Sequence, residues 1–144
     1  MKTSLSKPIV AGLIATAVMT IVMFMAPLMG LPKMNAAEML SMMLGVPAFA
    51  GWLMHFMIGI VFAFSYSIIF AKVLSKVSNT ILKGAIFGFI AFVFAQIMML
   101  LMGLILPMPQ SNANMGLMLL GSMIGHVVFG IMVAVVAVDK KSLN

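Results

Sequence analysis

Two histidines are the side chains of this sequence best suited to bind a ligand in an apolar environment. His55 and His126 each begin the pattern H-x-x-x-G-I-x-x-A, and the chain contains no other histidine. Two converging imidazoles can supply both axial ligands of a haem b, because the porphyrin itself provides the other four nitrogens. We therefore predict that His55 and His126 form a metal site that holds haem b.

Neighbouring residues support this site and leave other ligands open. Thr20 and Gln96 are expected at a similar depth in their own helices, where either can accept the second N–H of an imidazole. Zinc would need two more ligands, but the chain has no cysteine and no carboxylate is expected at that depth. Copper(I) is the alternative metal, because thioether sulfur suits it and the chain has 19 methionines. These methionines are spread along the whole chain, which is typical of adaptable packing.

A purely structural role for the histidines, with no cofactor, is the competing interpretation. Gly59 and Gly130 follow the two histidines by four residues, and Gly51 and Ser122 precede them by four. Small residues at this spacing are typical of close contact between membrane helices, where a histidine can simply form a hydrogen bond across the bundle. The same glycines can instead make room for the edge of a cofactor. We therefore include Gly59 and Gly130 among the candidate cofactor-binding residues.

The composition indicates that lipid surrounds the helices that carry these residues. Hydrophobic residues make up 65% of the chain, and its mean hydropathy is +1.29. The charged residues are eight lysines and two acidic residues, which are too few to cover the surface of a soluble fold. The uncharged runs predict one domain over residues 1–144, with transmembrane helices at 8–29, 49–71, 84–106 and 116–138.

A short interfacial helix is predicted at residues 36–44, between the first two spans. Asn35 is placed to cap it, with Glu38 at the third helical position, in a variant of the capping box. Gly45 is placed to end it. Methionines recur along it at helical spacing, so we expect one of its faces to lie against the membrane.

The lysines predict how the chain is oriented. Lys33 lies beside Glu38, in the segment between the first two spans. The other seven fall at the two chain ends or in the central loop: Lys2, Lys7, Lys72, Lys76, Lys83, Lys140 and Lys141. By the positive-inside rule, both termini and the loop 72–83 face the cytoplasm. We expect a multi-pass protein of the bacterial inner membrane, whose first apolar run is too long for a signal peptide.

The chain also repeats with a period of about 71 to 73 residues. Besides the histidine pattern, Gly12 matches Gly84, and the sequence LMGL occurs at both 28–31 and 101–104. Each copy contains two spans, so both copies insert in the same orientation and are expected to be related by a pseudo-two-fold axis along the membrane normal. The prediction is an all-α, integral membrane four-helix bundle of two tandem two-helix repeats, with the two histidines facing one another.

The run Ile9–Thr20, together with Gly51-Trp-Leu-Met-His55 and the glycine at position 59, resembles a known group of proteins. They are small, functionally uncharacterised bacterial four-helix membrane proteins with tandem His-x-x-x-Gly hairpins. The resemblance spans most of the chain. It implies the same fold and brings no activity with it.

The functional expectation is a cofactor-binding membrane protein that serves electron transfer or haem handling. The alternative is a non-catalytic accessory subunit of a larger membrane complex, such as a respiratory complex, or a homo-oligomer, because the loops are too small to meet a soluble substrate. Copper binding or passage is a third candidate. An enzyme is not favoured, since no nucleotide-binding loop, nucleophile–base pair or carboxylate pair occurs. A nucleic-acid partner is excluded because the chain has no arginine and its lysines flank apolar spans.

Overall fold

The computed structural model describes residues 5–106 and 112–137 of the chain. Within these residues the protein is helical and contains no strand. A short helix, Ala36–Leu44, lies between the first and second of four long spans. Each span is long and apolar enough to cross a membrane, and the four are Ser6–Met29, Ala48–Val73, Thr80–Gly103 and Met115–Ala137. The predicted all-α architecture with four membrane-spanning helices is therefore confirmed.

Local capping explains where the third span begins. Asn79 Oδ1 accepts hydrogen bonds from the backbone N–H groups of Ile81 and Leu82, at 2.9 and 3.1 Å. The span therefore starts at residue 80, before the predicted position 84, and it includes Lys83, whose long side chain can carry its ammonium group to the interface. It ends at Gly103, before the predicted residue 106. The lysines at positions 2, 140 and 141, and the predicted end of the fourth span at 138, lie outside the described residues.

The short helix has the boundaries that the sequence predicts. Asn35 Oδ1 accepts a hydrogen bond from the backbone N–H of Glu38 at 3.1 Å, which confirms the cap. Gly45 ends the helix in the left-handed conformation, with φ +64°. The helix packs tightly on the second span, because a β-carbon at Gly51 would collide with the carbonyl oxygen of Ala37. This contact lies one turn before His55.

The two spans of each hairpin cross at a glycine. A β-carbon at Gly12 in the first span would lie 2.6 Å from the Cα of Ile60 in the second span. One at Gly84 in the third span would lie 2.5 Å from the Cα of Ile131 in the fourth. Only glycine permits such an approach between backbones. The four residues are the ones that the sequence repeat aligns, so both hairpins use the same kind of contact.

The hairpins pack against each other through the first and fourth spans. Among the described residues, the second span makes no extended backbone contact with the third or with the fourth. The second and third spans meet through aromatic rings: Phe62 and Phe94 have centroids 5.7 Å apart, and Phe70 and Phe87 5.1 Å apart. Because these bulky rings hold the two spans apart, the packing between hairpins departs from the two-fold arrangement expected from the repeat.

Candidate functional site

His55 belongs to the second span and its side chain contacts the first, so only 8% of its surface is exposed. Its Nε2 is 3.2 Å from Thr20 Oγ1, so the structure brings together two of the residues predicted to form the site. The hydroxyl of Thr20 donates its single hydrogen to the carbonyl of Thr16 at 2.8 Å. His55 Nε2 must therefore be the donor towards Thr20. In a neutral imidazole this leaves the lone pair on Nδ1, which is then the atom able to bind a metal.

His126 belongs to a separate polar network on the fourth span. Its Nδ1 is 2.7 Å from the backbone carbonyl of Ser122, which can only accept a hydrogen bond. Nδ1 therefore carries the proton and Nε2 the lone pair. Gln96 Nε2 donates to Ser122 Oγ at 3.2 Å, and this oxygen lies 3.5 Å from His126 Nδ1, so Ser122 lies between Gln96 and the imidazole. The ring of Phe92 in the third span lies edge-on to His126, with centroids 6.0 Å apart.

The two histidines lie on helices that make no extended backbone contact with each other among the described residues, Ala48–Ser65 for His55 and Met115–Ala137 for His126. Only His55 lines the cavity described next. The structure thus gives each imidazole its own hydrogen-bonding partner, rather than bringing both to one shared cavity.

A cavity of about 20 Å³ lies beside His55, at the end of the bundle that carries the short helix. This volume holds one water-sized particle and is far smaller than a porphyrin. Residues from the first span, from the second span and from the segment between them line it, including Met19, Thr20, Met23, Met34, Asn35 and His55. Three methionines and one histidine are therefore among the residues that border a space the size of a single ion.

Two glycines of the fourth span pack against the methionines of this cavity. A β-carbon at Gly125 would lie 2.8 Å from the sulfur of Met23. One at Gly121 would lie 3.4 Å from the sulfur of Met34 and would collide with its methyl group. The absence of side chains at these two positions thus leaves room for the thioethers.

The sequence alone does not single out the methionines of this cavity, because 19 are spread along the chain. Met19 and Met23 are one helical turn apart and lie on either side of Thr20 in the sequence. This spacing is the one feature that could have indicated them as neighbours of the site. Met34 lies in the segment before the short helix, and no helical periodicity connects it with the other two. Its proximity is visible only in the folded chain.

Gly59 and Gly130 serve close contact between helices. A β-carbon at Gly59 would lie 3.2 Å from Thr16 Cβ of the first span. One at Gly130 would lie 2.5 Å from the Cα of Gly88 in the third span and would also collide with the carbonyl oxygen of Gly84. The neighbouring helix fills the space beside both glycines. This packing leaves no gap there for the edge of a cofactor, and we assign the two residues to helix packing.

Comparison with known proteins reaches the level of a family. No curated protein and no solved structure matches the chain. Residues 3–140 match a protein family described as a family of unknown function, DUF6789. This agrees with the resemblance to an uncharacterised family that the sequence motifs indicate. Because the match covers nearly the whole chain, the protein belongs to the DUF6789 family.

Proposed function

We propose that this protein binds one copper(I) ion within the membrane, in the cavity beside His55. The observation that carries the proposal is the lining of that cavity, where three methionines and a histidine lie around an ion-sized space. The ligands are the sulfur atoms of Met19, Met23 and Met34 and the Nδ1 of His55. Soft thioether ligands select copper(I) among the common biological metals, and imidazole also suits copper.

The same set of ligands argues against other cations. Calcium and magnesium require oxygen ligands, and zinc sites use thiolate, imidazole or carboxylate groups. The chain has no cysteine, and its described residues contain no cluster of three or more histidine or acidic side chains. A monovalent ion also carries less charge into a low-dielectric interior than a divalent ion does, so its burial costs less free energy.

The sequence repeat supports one ion for each chain. We infer that the two hairpins derive from one duplicated hairpin, since both cross at equivalent glycines and isoleucines. At the offset that aligns these glycines, Met19 and Met23 correspond to Ala91 and Ala95. Thr20 corresponds to Phe92, which contacts the ring of His126. The second hairpin therefore lacks the thioethers that make the first one a metal site.

A competition titration with a copper(I) chelator tests this site under reducing conditions. The purified protein is expected to hold one copper(I) ion. Met23→Leu/Met34→Leu keeps the apolar volume but removes two ligands, so the affinity is expected to fall by more than about 100-fold, beyond the loss typical of an outer-shell contact. The matched control is Met57→Leu/Met98→Leu, which changes two exposed methionines outside the cavity and is expected to bind like the wild type. Equal losses in both variants, or no stoichiometric binding, would contradict the proposal.

Haem b held by His55 and His126 remains the alternative from the sequence. For a porphyrin to enter beside His55, the first and second spans would have to separate, since the cavity there is about 20 Å³. The visible absorption spectrum of the same preparation distinguishes bound haem b from bound copper(I). A sharp low-spin haem spectrum, lost in both His55→Ala and His126→Ala, would replace the copper proposal. A colourless protein whose copper(I) binding is lost in His55→Ala but kept in His126→Ala would support the copper proposal.

We also propose that both termini and the loop 72–83 lie in the cytoplasm of a bacterial cell, with the copper cavity in the outer half of the inner membrane. The chain has no cysteine, so single cysteines can report the topology. In intact cells, Ser75→Cys is expected to be shielded from a membrane-impermeant thiol reagent, and Asn112→Cys is expected to react. Labelling of Ser75→Cys but not of Asn112→Cys would reverse the orientation.

Association with a larger membrane complex, or with further copies of the chain, is compatible with copper binding. The surface within the spans is apolar and exposes large side chains on every helix. Such a surface suits lipid and partner helices equally. An accessory role in a respiratory or other complex therefore remains a second proposal, in which the bound copper would be passed to the partner.

A further inference from the structure

An apolar slot of about 280 Å³ lies between the second and third spans, on the side of the central loop. Aromatic and aliphatic side chains line it, among them Val61, Phe62 and Phe70 from the second span and Phe87, Ile90 and Phe94 from the third. One polar residue of the lining, Ser65, donates its hydroxyl hydrogen to the carbonyl of Phe62 at 2.7 Å. The slot therefore presents an apolar surface.

A local irregularity of the second span shapes this slot. Residues Tyr66–Phe70 form a π-helical turn, a feature that often occurs at functional sites. The turn places the rings of both Tyr66 and Phe70 against Phe87, with centroids 5.0 and 5.1 Å apart. Further along the slot, Phe62 meets Phe94. These rings separate the two backbones at two levels, and the space between the spans stays open on the lipid side.

The dimensions of the slot suit a hydrocarbon chain rather than a helix. Its lining on the second span runs from Val61 to Phe70, which is about 13 Å at 1.5 Å per residue. A volume of about 280 Å³ over that length leaves a cross-section of about 20 Å². An α-helix is about 10 Å across and needs nearly 80 Å². A partner helix therefore cannot enter, whereas one extended acyl chain can.

Positive charge lies at the loop end of the slot. Lys83 precedes Phe87 by one helical turn and so shares its face of the third span, and Lys72 lies at the end of the second span, beyond Phe70. Lys76 lies in the loop between them. No acidic residue occurs in the sequence between Glu38 and Asp139 to offset these charges. Basic residues beside a gap between membrane helices are the usual site for an anionic lipid headgroup.

We propose that the slot binds one anionic phospholipid, with an acyl chain between the rings and the phosphate at Lys72 and Lys83. The apolar slot retains the lipid, because the acyl chain gains contacts there by filling a space that the protein does not fill itself. The lysines provide selection for negative charge. The slot and the lysines thus predict two separable effects.

Native mass spectrometry of the delipidated full chain tests both effects. The protein is mixed with equal amounts of phosphatidylglycerol and phosphatidylcholine that carry the same acyl chains. The wild type is expected to retain one lipid with about a tenfold preference for phosphatidylglycerol. Lys72→Gln/Lys83→Gln is expected to retain lipid with no preference between the two. Lys33→Gln, at the opposite end of the bundle, is the control and keeps the preference.

The slot itself is tested by filling it. Val61→Trp places an indole at the open side of the slot, where Val61 is 65% exposed, so retention of both lipids is expected to be lost without a change in the core. Val93→Trp is the matched control, because Val93 is 41% exposed and lies outside the slot lining. The proposal is overturned if the wild type retains no lipid, if the slot is covered only in a dimer without lipid, or if Val61→Trp retains lipid as Val93→Trp does. A tenfold preference that persists in Lys72→Gln/Lys83→Gln overturns the role of the lysines.

Discussion

Gly130→Ala is expected to lower the free energy of unfolding by about 3 kcal/mol, at the upper end of the usual cost of overpacking. A β-carbon at Gly130 would lie 2.5 Å from the Cα of Gly88 and would also collide with the carbonyl oxygen of Gly84. Both neighbours are backbone atoms, so no side-chain rotation can relieve the contact. The third and fourth spans must move apart instead. The measurement is the loss of helical circular dichroism during unfolding of the purified protein.

Gly116→Ala in the first turn of the same helix is the control. A β-carbon there would have one near neighbour, Asn114 Oδ1 at 3.2 Å, which is the end of a side chain. This oxygen caps the helix by accepting a hydrogen bond from the backbone N–H of Leu117, and a small shift of the flexible side chain relieves the contact, so this variant is expected to be about as stable as the wild type. If Gly130→Ala and Gly116→Ala have the same free energy of unfolding, the close crossing of the third and fourth spans is wrong.

Thr20→Val is expected to weaken copper(I) binding by about 10–100-fold, although Thr20 is not proposed as a ligand. Its hydroxyl oxygen accepts the N–H of His55 Nε2, which fixes the imidazole with Nδ1 as the unprotonated nitrogen. Valine has nearly the same shape but cannot accept this hydrogen bond. The ring then loses its fixed orientation and a buried N–H loses its partner. The chelator titration used for the methionine variants measures the effect.

Thr16→Val, one turn earlier on the same helix, separates this effect from a general loss of packing. Thr16 is 1% exposed, and its Oγ1 has no hydrogen-bond partner within the described part of the chain. Removal of this buried, unpaired hydroxyl is expected to raise the free energy of unfolding by about 1 kcal/mol. Copper(I) affinity is expected to stay at the wild-type value. Equal affinities in Thr16→Val and Thr20→Val would show that the hydrogen bond to His55 does not orient a ligand.

The membrane architecture could be predicted because it depends on properties that are local in the sequence. A lipid-facing helix needs about 20 apolar residues, so the uncharged runs identify the four spans. The short helix was equally accessible, since Asn35, Glu38 and Gly45 act within one or two turns of each other. The start of the third span was harder to predict from the sequence. Its cap, Asn79, precedes Lys83, and a rule based on uncharged runs places the boundary after the lysine.

The candidate site depends on contacts between distant segments, and the sequence predicts only part of it. The contact of Thr20 with His55 follows from their similar depth in neighbouring helices. The repeat, however, suggests equivalent roles for the two histidines, whereas their surroundings differ in the structure. Thr20 contacts His55, and its counterpart beside His126 is the ring of Phe92. A pattern of residue types aligns the copies but does not specify which side chains fill the space around each imidazole.

The packing of Gly121 and Gly125 against Met34 and Met23 makes the cavity beside His55 depend on the order in which the spans are synthesised. Both glycines belong to the fourth span, whereas the methionines that they contact are synthesised earlier, with the first hairpin. Until the fourth span is inserted, the side chains of Met23 and Met34 lack their contacts with these two glycines. The first span packs on the second within its own hairpin, but its contact with the fourth span forms only when that span is inserted. If copper(I) binds as proposed, we therefore expect chains that lack an inserted fourth span to hold the ion more weakly than the complete bundle does.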